Sequence, residues 1–314
     1  MKLMKGLDAL ASSLEGAAVT VGTFDGVHAG HRSLLRRAIA KGAEHGLTSV
    51  AITWDRHPLT TLRPAHAPRL LCSLERRLEL FEEVGLDAVA VLAFDEALSH
   101  WPPERFAEEV LSRGLDARSV VVGEGWRFGH KAAGDVPLLT KLGENLGFRV
   151  EALPLERSGD GAVSSSRVRK AVAEGDMELA KALLERPFDT DGVVIDGDHR
   201  GASLGFPTAN LEVLPGYAHA PRGVYAGRAR AGGEWYVAAI NVGVNPTFGG
   251  DVATSEIRIE AYLLDFSGDL YGQTLRVEFW KCLRDEQKFD SADALIEQMG
   301  RDVDETRALV RVAG

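Results

Sequence analysis

Five short apolar runs punctuate the first half of the chain: AVTVGTF from Ala18, SVAITW from Ser49, DAVAVLAF from Asp87, SVVVG from Ser119 and FRVEAL from Phe148. Between them lie stretches of helical spacing, His31 to Glu44, Ser73 to Val84, Pro103 to Arg113 and Val136 to Leu146. Runs that are apolar on both faces read as buried parallel strands, and the β-α alternation predicts a Rossmann-like, doubly wound α/β domain with its ligand at the carboxyl ends of the strands. In the second helix, Leu74, Leu78 and Phe81 form the apolar stripe, Ser73 is the N-cap, and Arg76 and Arg77 are expected on the wet side.

The pattern changes after Ser164. Two short helices, Ser166 to Ala173 and Met177 to Leu184, are followed by Pro187, which cannot continue a helix. From Phe188 the chain reads as strands broken by Gly and Pro: FDTDGVVIDG, GVYAGRARA, WYVAAINVG, SEIRIEAYLLDF and TLRVEFWKCL. Either an antiparallel barrel or a compact sheet fits. Apolar Leu295, Ile296 and Met299 among acidic residues predict a closing helix from Ser291 to about Arg311. The expected division is therefore 1–186 and 187–314, two domains being the natural prior for 314 residues.

Composition narrows the classes. A 45% hydrophobic and 26% charged chain is ordinary globular material, and a net charge of -10 argues against a nucleic-acid coat, which needs clustered Lys and Arg. No segment approaches a membrane span or a signal peptide, so no membrane partner is expected. Cys72 and Cys282 are far apart, without metal or redox spacing, which points to a reducing cytoplasm. Oligomeric state, including a homo-oligomer, is left open.

The chemistry concentrates in a few stretches. After the first strand comes Gly22-Thr23-Phe24-Asp25-Gly26-Val27-His28-Ala29-Gly30-His31, running through a turn into a helix. Backbone N–H groups at a helix start attract anions, Gly30 leaves room for phosphates, and His28 and His31 can face one side and donate to them. Phosphoryl and nucleotidyl transfer need mainly alignment and charge stabilisation, so no nucleophilic side chain is required. Ser164-Ser165-Ser166-Arg167-Val168-Arg169, at another helix start, suits a polyphosphate leaving group or is a plain N-cap with solvated arginines. Trp126 and Phe128, after the fourth strand, either flank a flat ring or belong to the core.

In the second half, Gly201 to Asn210 forms a dense turn in which glycines, Gly201 and Gly205 among them, leave space for phosphates. Thr208 and Asn210 offer neutral oxygens for Mg²⁺. Glu260 lies in a strand whose apolar residues Ile257, Ile259 and Leu263 are all odd-numbered, so it points to the opposite face, as an exposed side chain or as a general base.

Together these residues resemble the bacterial bifunctional riboflavin kinase/FAD synthetase family from about Leu14 to Val310. The resemblance rests on the Gly22 to His31 stretch, on SSSRVR from Ser164 and on GFPTANL from Gly205 to Leu211. Asn241-Val242-Gly243, Asn245 to Phe248, Leu264-Asp265-Phe266, Asp269 to Gly272 and Leu283 to Phe289 follow in the family's order. The resemblance implies an N-terminal FMN adenylyltransferase and a C-terminal six-stranded riboflavin kinase barrel, with ATP, riboflavin and FMN as small-molecule substrates and Mg²⁺ as cofactor. It implies Glu260 as base for the ribityl hydroxyl, Thr208 and Asn210 as ATP-Mg²⁺ ligands, and His28, His31, Ser165, Ser166 and Arg169 as holders of the adenylylating ATP. Gly22, Phe24, Gly30, Gly201 and Gly205 fall in its nucleotide segments, and Trp126, Phe128, Asn241 and Arg284 in its flavin segments.

Several positions depart from the family pattern. Gly125 and Trp126 stand where Asp or Asn followed by Phe is usual, Arg56 precedes His57-Pro58, Ala202 replaces Arg, Tyr262 replaces His, and Glu185 replaces a Gly before Arg-Pro. One lost side-chain hydrogen bond to a ligand costs about 1 to 3 kcal/mol, enough to shift affinity or nucleotide choice. Gly125 thus motivates a competing reading, a kinase whose first domain has changed specificity or weak adenylyltransferase activity. A flavin-binding regulator without chemistry is the alternative of another class. The intact His pair, Thr208, Asn210 and Glu260 speak against it.

Overall fold

The run that opens the first motif becomes a strand, β2 (Ala17–Val21), every residue of which is buried. In the computed structural model, which describes residues 1–10, 14–197, 205–245 and 256–310, it sits at the centre of a six-stranded parallel sheet. The others are β1 (Lys2–Lys5), β3 (Thr48–Trp54), β4 (Ala88–Leu92), β5 (Ala117–Gly123) and β6 (Arg149–Leu153), in the order β1-β4-β3-β2-β5-β6. Strand order reverses at β2, between β3 and β5. That is the switch point at which open α/β sheets take ligands.

Two apolar layers cover the sheet. Val19, Val21, Ile52, Leu92, Val110, Val120 and Leu139 belong to one, and Phe24, Leu35, Ala51, Leu80, Phe81 and Val89 to the other. Neighbours such as Val19 and Thr20 or Ala51 and Ile52 face opposite layers, which is why the inner strands are largely apolar rather than alternating, whereas the edge strands β1 and β6 are mostly exposed or half-buried. The edge strand β1 was not legible in the pattern. Its residues are mostly exposed, only Met4 entering the core, and it pairs with β4 in parallel register.

Helix Leu74–Val84 begins at Ser73, whose Oγ accepts from the Arg76 N–H at 3.0 Å. The expectation that Arg76 and Arg77 lie on the wet side is overturned, for both are buried. Arg76 lies along the helix and pairs with Glu79 and Glu83 at 3.0 and 2.8 Å. Arg77 turns under the sheet end, its Nη1 donating to Thr23 O, Thr53 Oγ1 and Trp54 O at 2.8, 2.8 and 3.1 Å. A guanidinium has enough donors to satisfy several carbonyls at once, and this permits a burial that side-chain polarity alone would not predict.

The described structure divides into Met1–Ser165 and Ser166–Gly314. A small hairpin, β7 (Arg157–Ser158) with β8 (Gly161–Ala162), precedes the helices Ser165–Ala173 and Met177–Leu184, and the second of these packs on the barrel strands β9 and β14.

Six antiparallel strands close into that barrel, ordered β10-β13-β12-β11-β14-β9. They are β9 (Phe188–Ile195), β10 (Ala209–Val213), β11 (Gly223–Ala231), β12 (Glu234–Asn245), β13 (Glu256–Leu263) and β14 (Thr274–Arg284). Leu211, Tyr225, Ala229, Ile240, Val242, Ile259, Ala261, Leu275, Val277 and Phe279 are buried within it. The sixth strand, β10, comes from the segment read as a turn, because ANLEV is too short to show alternation. Helix Ala292–Leu309, capped by Ser291, packs against β11 and β12.

Candidate functional site

In the first unit the cradle is made where β2 meets helix Ala29–His45. His28 is the helix N-cap, and its Nδ1 accepts from the His31 N–H at 3.3 Å. In the neutral ring this leaves the proton on Nε2. The two imidazoles stack, with centroids 3.6 Å apart and planes at 15°. They therefore present one joint edge, as their spacing predicted.

Phe24 is fully buried and meets the His31 ring edge-on at 5.2 Å and the Phe81 ring at 5.4 Å. Its position is a support under the histidines. The turn itself is conformationally costly: Phe24 and Val27 have φ of 51° and 41°, in the left-handed region where a β-branched residue is an outlier. Neighbouring contacts hold it there. Asp25 accepts from the Leu71 N–H at 2.9 Å, the Ser165 hydroxyl donates to Asp25 O at 3.0 Å, and Arg77 holds Thr23 O. Strain that persists because its surroundings impose it is typical of ligand loops.

A Cβ added at Gly30 would meet the His28 ring at 3.4 Å. Gly22, at the end of β2, donates from its N–H to Ile52 O at 3.1 Å. Ser165 reaches the turn, whereas Ser166 and Arg169 lie on the following helix, exposed and half-buried respectively. Beyond β5, Trp126 and Phe128 stack directly on one another at 4.6 Å and 12°, so no flat ring sits between them in this arrangement. Phe128 is buried and Trp126 half-buried against the core. Gly125 is exposed, with open space where a side chain would be.

The second unit holds a cavity of about 700 Å³, lined by Thr208, Asn210, Asn241, Glu260 and Arg284 together. Register explains the grouping. Asn210 pairs with Glu260 across β10 and β13, and Asn241 pairs with the same Glu260 across β12 and β13. Their neighbours Leu211, Ile240, Ile259 and Ala261 fill the barrel. The polar row therefore lies on its outer face, and Glu260 points away from the apolar residues as the parity of its strand required. Gly205, with φ of 89°, leads toward Thr208, while Gly201 and Ala202 lie outside the described residues.

Reading along the sequence missed four residues. Arg258 donates from Nε and Nη2 to Asn210 Oδ1 at 2.8 and 2.6 Å and pairs through Nε with Glu260 Oε1 at 3.0 Å. Its place two residues before Glu260, on the same strand face, was the available signal. Gly197 makes room for that arrangement, since a Cβ there would lie 2.1 Å from Asn210 Nδ2 and 2.8 Å from Arg258 Nη2. Asp302, on helix Ala292–Leu309, grips Arg284 Nε and Nη2 at 3.0 and 2.8 Å and takes a further bond from Gln298 at 2.9 Å. Arg77 is the fourth. Tyr262 meets Phe206 edge-on at 5.4 Å on the cavity wall.

Among the described residues no cluster of three His, Cys, Asp or Glu could hold a metal by itself, so a divalent ion here would rely on neutral oxygens and on nucleotide phosphates. The oxygens of Asn210 and Glu260 already attract a cation, the Arg258 guanidinium, and so fit that role.

A parallel α/β sheet with a helix start at its switch point, joined to a barrel whose outer-face cavity of about 700 Å³ carries Asn210, Asn241 and Glu260, fits a two-unit transferase acting on nucleotide phosphates. The FAD synthetase family model matches residues 10–167 and the riboflavin kinase model residues 184–310. The bifunctional riboflavin kinase/FMN adenylyltransferase of Pseudomonas fluorescens is 37% identical over 98% of this chain and 98% of its own length. That of Listeria monocytogenes is 34% identical over 92% of this chain and 91% of its own. The chain belongs to the bifunctional riboflavin kinase/FMN adenylyltransferase family. The crystal structure of a macrolide-efflux protein from Streptococcus pneumoniae also matches it, with a TM-score of 0.87 at 28% identity over 98% of this chain and 99% of that one. Among the described residues of this chain, no helix is long and apolar enough to cross a membrane.

Proposed function

We propose that the chain converts riboflavin to FMN in its barrel and FMN to FAD at its parallel sheet, with the functional division near 186–187, ahead of β9. In the barrel, Glu260 accepts the proton of the ribityl hydroxyl as that oxygen attacks the γ-phosphorus of ATP in line and ADP departs. Thr208 and Asn210 would hold Mg²⁺, which when bound would neutralise phosphate charge. Gly201 and Gly205 admit the phosphates, and Asn241 and Arg284 orient the flavin, Arg284 being set in place by Asp302.

At the sheet, the FMN phosphate attacks the α-phosphorus of a second ATP and expels pyrophosphate. The N–H groups opening helix Ala29–His45, with His28, His31, Ser165, Ser166 and Arg169, hold the triphosphate, while Gly22 and Gly30 let it approach the backbone. Phe24 supports His31, and Trp126 and Phe128 offer an aromatic surface to the isoalloxazine. A reducing cytoplasm suits the two free thiols, Cys72 and Cys282; burial pushes the Cys282 thiol up, away from reactivity.

The observation that carries this reading is the cross-strand row Asn210–Glu260–Asn241 on one cavity wall. The test is to incubate the protein with riboflavin, Mg²⁺ and ATP and separate the flavins by chromatography. Both FMN and FAD are expected. Glu260→Gln should lower FMN formation by about 10² to 10⁴ while supplied FMN is still adenylylated. FMN accumulating without FAD would overturn the role of the first unit, and undiminished FMN in Glu260→Gln that of the base.

A further inference from the structure

The contacts of Arg258 have a consequence for the order of events in the kinase cavity. Asn210 Oδ1 accepts two bonds from one guanidinium, at 2.8 and 2.6 Å, and an amide carbonyl oxygen has two lone pairs. The same Nε lies 3.0 Å from Glu260 Oε1. Magnesium needs its oxygen ligands at about 2.0 to 2.1 Å, closer than a guanidinium packed on the same oxygen allows. Arg258 must therefore move before a metal can take that oxygen.

Resting on the kinase reading above, we propose that Arg258 is the resident counter-cation of the Asn210–Glu260 pair: it holds both oxygens in the nucleotide-free barrel, is displaced when a divalent cation arrives with ATP, and then turns its fork onto the phosphate oxygens. Burial favours the first state, since the Arg258 and Glu260 side chains are only 16% and 29% exposed and Asn210 is buried, so hydration of either oxygen is restricted. Gly197 leaves the space in which the guanidinium lies, a Cβ there coming 2.8 Å from Nη2. The second state has a fitting acceptor in a phosphate, which takes the two parallel N–H bonds of an Arg fork better than a single amide oxygen does. The exchange frees Glu260 Oε1 for the hydroxyl proton only once nucleotide and cation are seated. Arg258 thereby acts as a positioning residue that ties release of the base to nucleotide binding.

The test uses the full-length protein and Mn²⁺ as a probe in the presence of ADP, with binding followed by electron paramagnetic resonance. The relevant site is the one lost in Asn210→Ala. Arg258→Met keeps the length of the side chain and removes its charge and fork. Because an occupied site lowers apparent affinity by the fraction of time it is blocked, this variant should bind Mn²⁺ about tenfold more tightly. Its kcat for FMN formation should fall about tenfold or more, as phosphate charge loses a donor. A merely structural arginine would not tighten a metal site when removed. Unchanged or weaker Mn²⁺ affinity in a variant that melts like the parent overturns the proposal. Should Arg258→Met fail to fold, Arg258→Lys decides: a single ammonium holds Asn210 less well, so a few-fold tightening is expected, and parental affinity rejects the exchange. Glu260→Gln is read alongside. If FMN forms undiminished there, the kinase reading has failed; if FMN is lost there and Mn²⁺ affinity is unmoved at Arg258, only the exchange has.

Discussion

On the sites proposed above, the two units would meet the same substrate, ATP, with different materials. The sheet uses backbone: a strained turn and a helix start present N–H groups, with His28 and His31 stacked at their rim and Arg77, Asp25 and Ser165 bracing the turn from beneath. The barrel uses side chains projecting from three neighbouring strands, with a cation, Arg258, already seated on two of their oxygens. Transfer of a nucleotidyl group requires the triphosphate to be held still, which fixed backbone dipoles do well. Transfer of the terminal phosphoryl to a hydroxyl also requires a base and a metal, hence oxygens that can change partners. A pre-braced cradle and an exchangeable cavity are two solutions to one problem.

Substitutions can break that comparison, from the largest effect to the smallest. His31→Ala removes half of the stacked pair and should lower FMN adenylylation by about 10² to 10³, as loss of a transition-state donor does, and leave riboflavin phosphorylation unchanged; assaying each step from its own flavin shows whether the units are chemically separate. Arg77→Met strips the bracing bonds from Thr23 O, Thr53 and Trp54 O. Unfolding of the sheet unit should come about 2 to 4 kcal/mol earlier by calorimetry, with the barrel transition in place, because buried carbonyls lose their donor.

Gly125→Asn sharpens the comparison from the other side. The site around Gly125 is open, so the residue fits, and restoring one polar ligand contact should raise kcat/KM for FMN adenylylation about tenfold, equivalent to one hydrogen bond. No change would show that the missing side chain does not touch ligand. The smallest effect is expected at Glu185, which ends helix Met177–Leu184 at φ of 56° and ψ of 21°. Glu185→Gly relieves a left-handed residue and should stabilise the barrel unit by about 0.5 to 1 kcal/mol in denaturant melts without altering either activity.

That last position also shows how departures from a family pattern become intelligible in three dimensions. Glycine before Arg-Pro is the usual residue because the chain must pass through αL there, and glutamate tolerates it at a cost. Gly125 is the opposite case, where nothing in the backbone calls for glycine and a side chain would meet only open space.

Local physics was enough for the central strands of the sheet unit, though not for its edge strand β1 or for Arg77. Apolar runs without alternation announced buried parallel strands, and a strand running through a Gly-rich turn announced the helix start at which His28 and His31 stack. In the barrel, parity alone turned Glu260 away from the apolar face. Tertiary structure decided the rest. Asn210, Asn241 and Glu260 become neighbours only through the register of three strands, Arg258 becomes a counter-cation only because Gly197 leaves it room, and Asp302 finds Arg284 across 18 residues of chain. Arg77 was misplaced outright by its polarity. Periodicity records which face a side chain takes; it carries no information on what waits on that face, and burial of a charge is settled by partners that only the folded chain supplies.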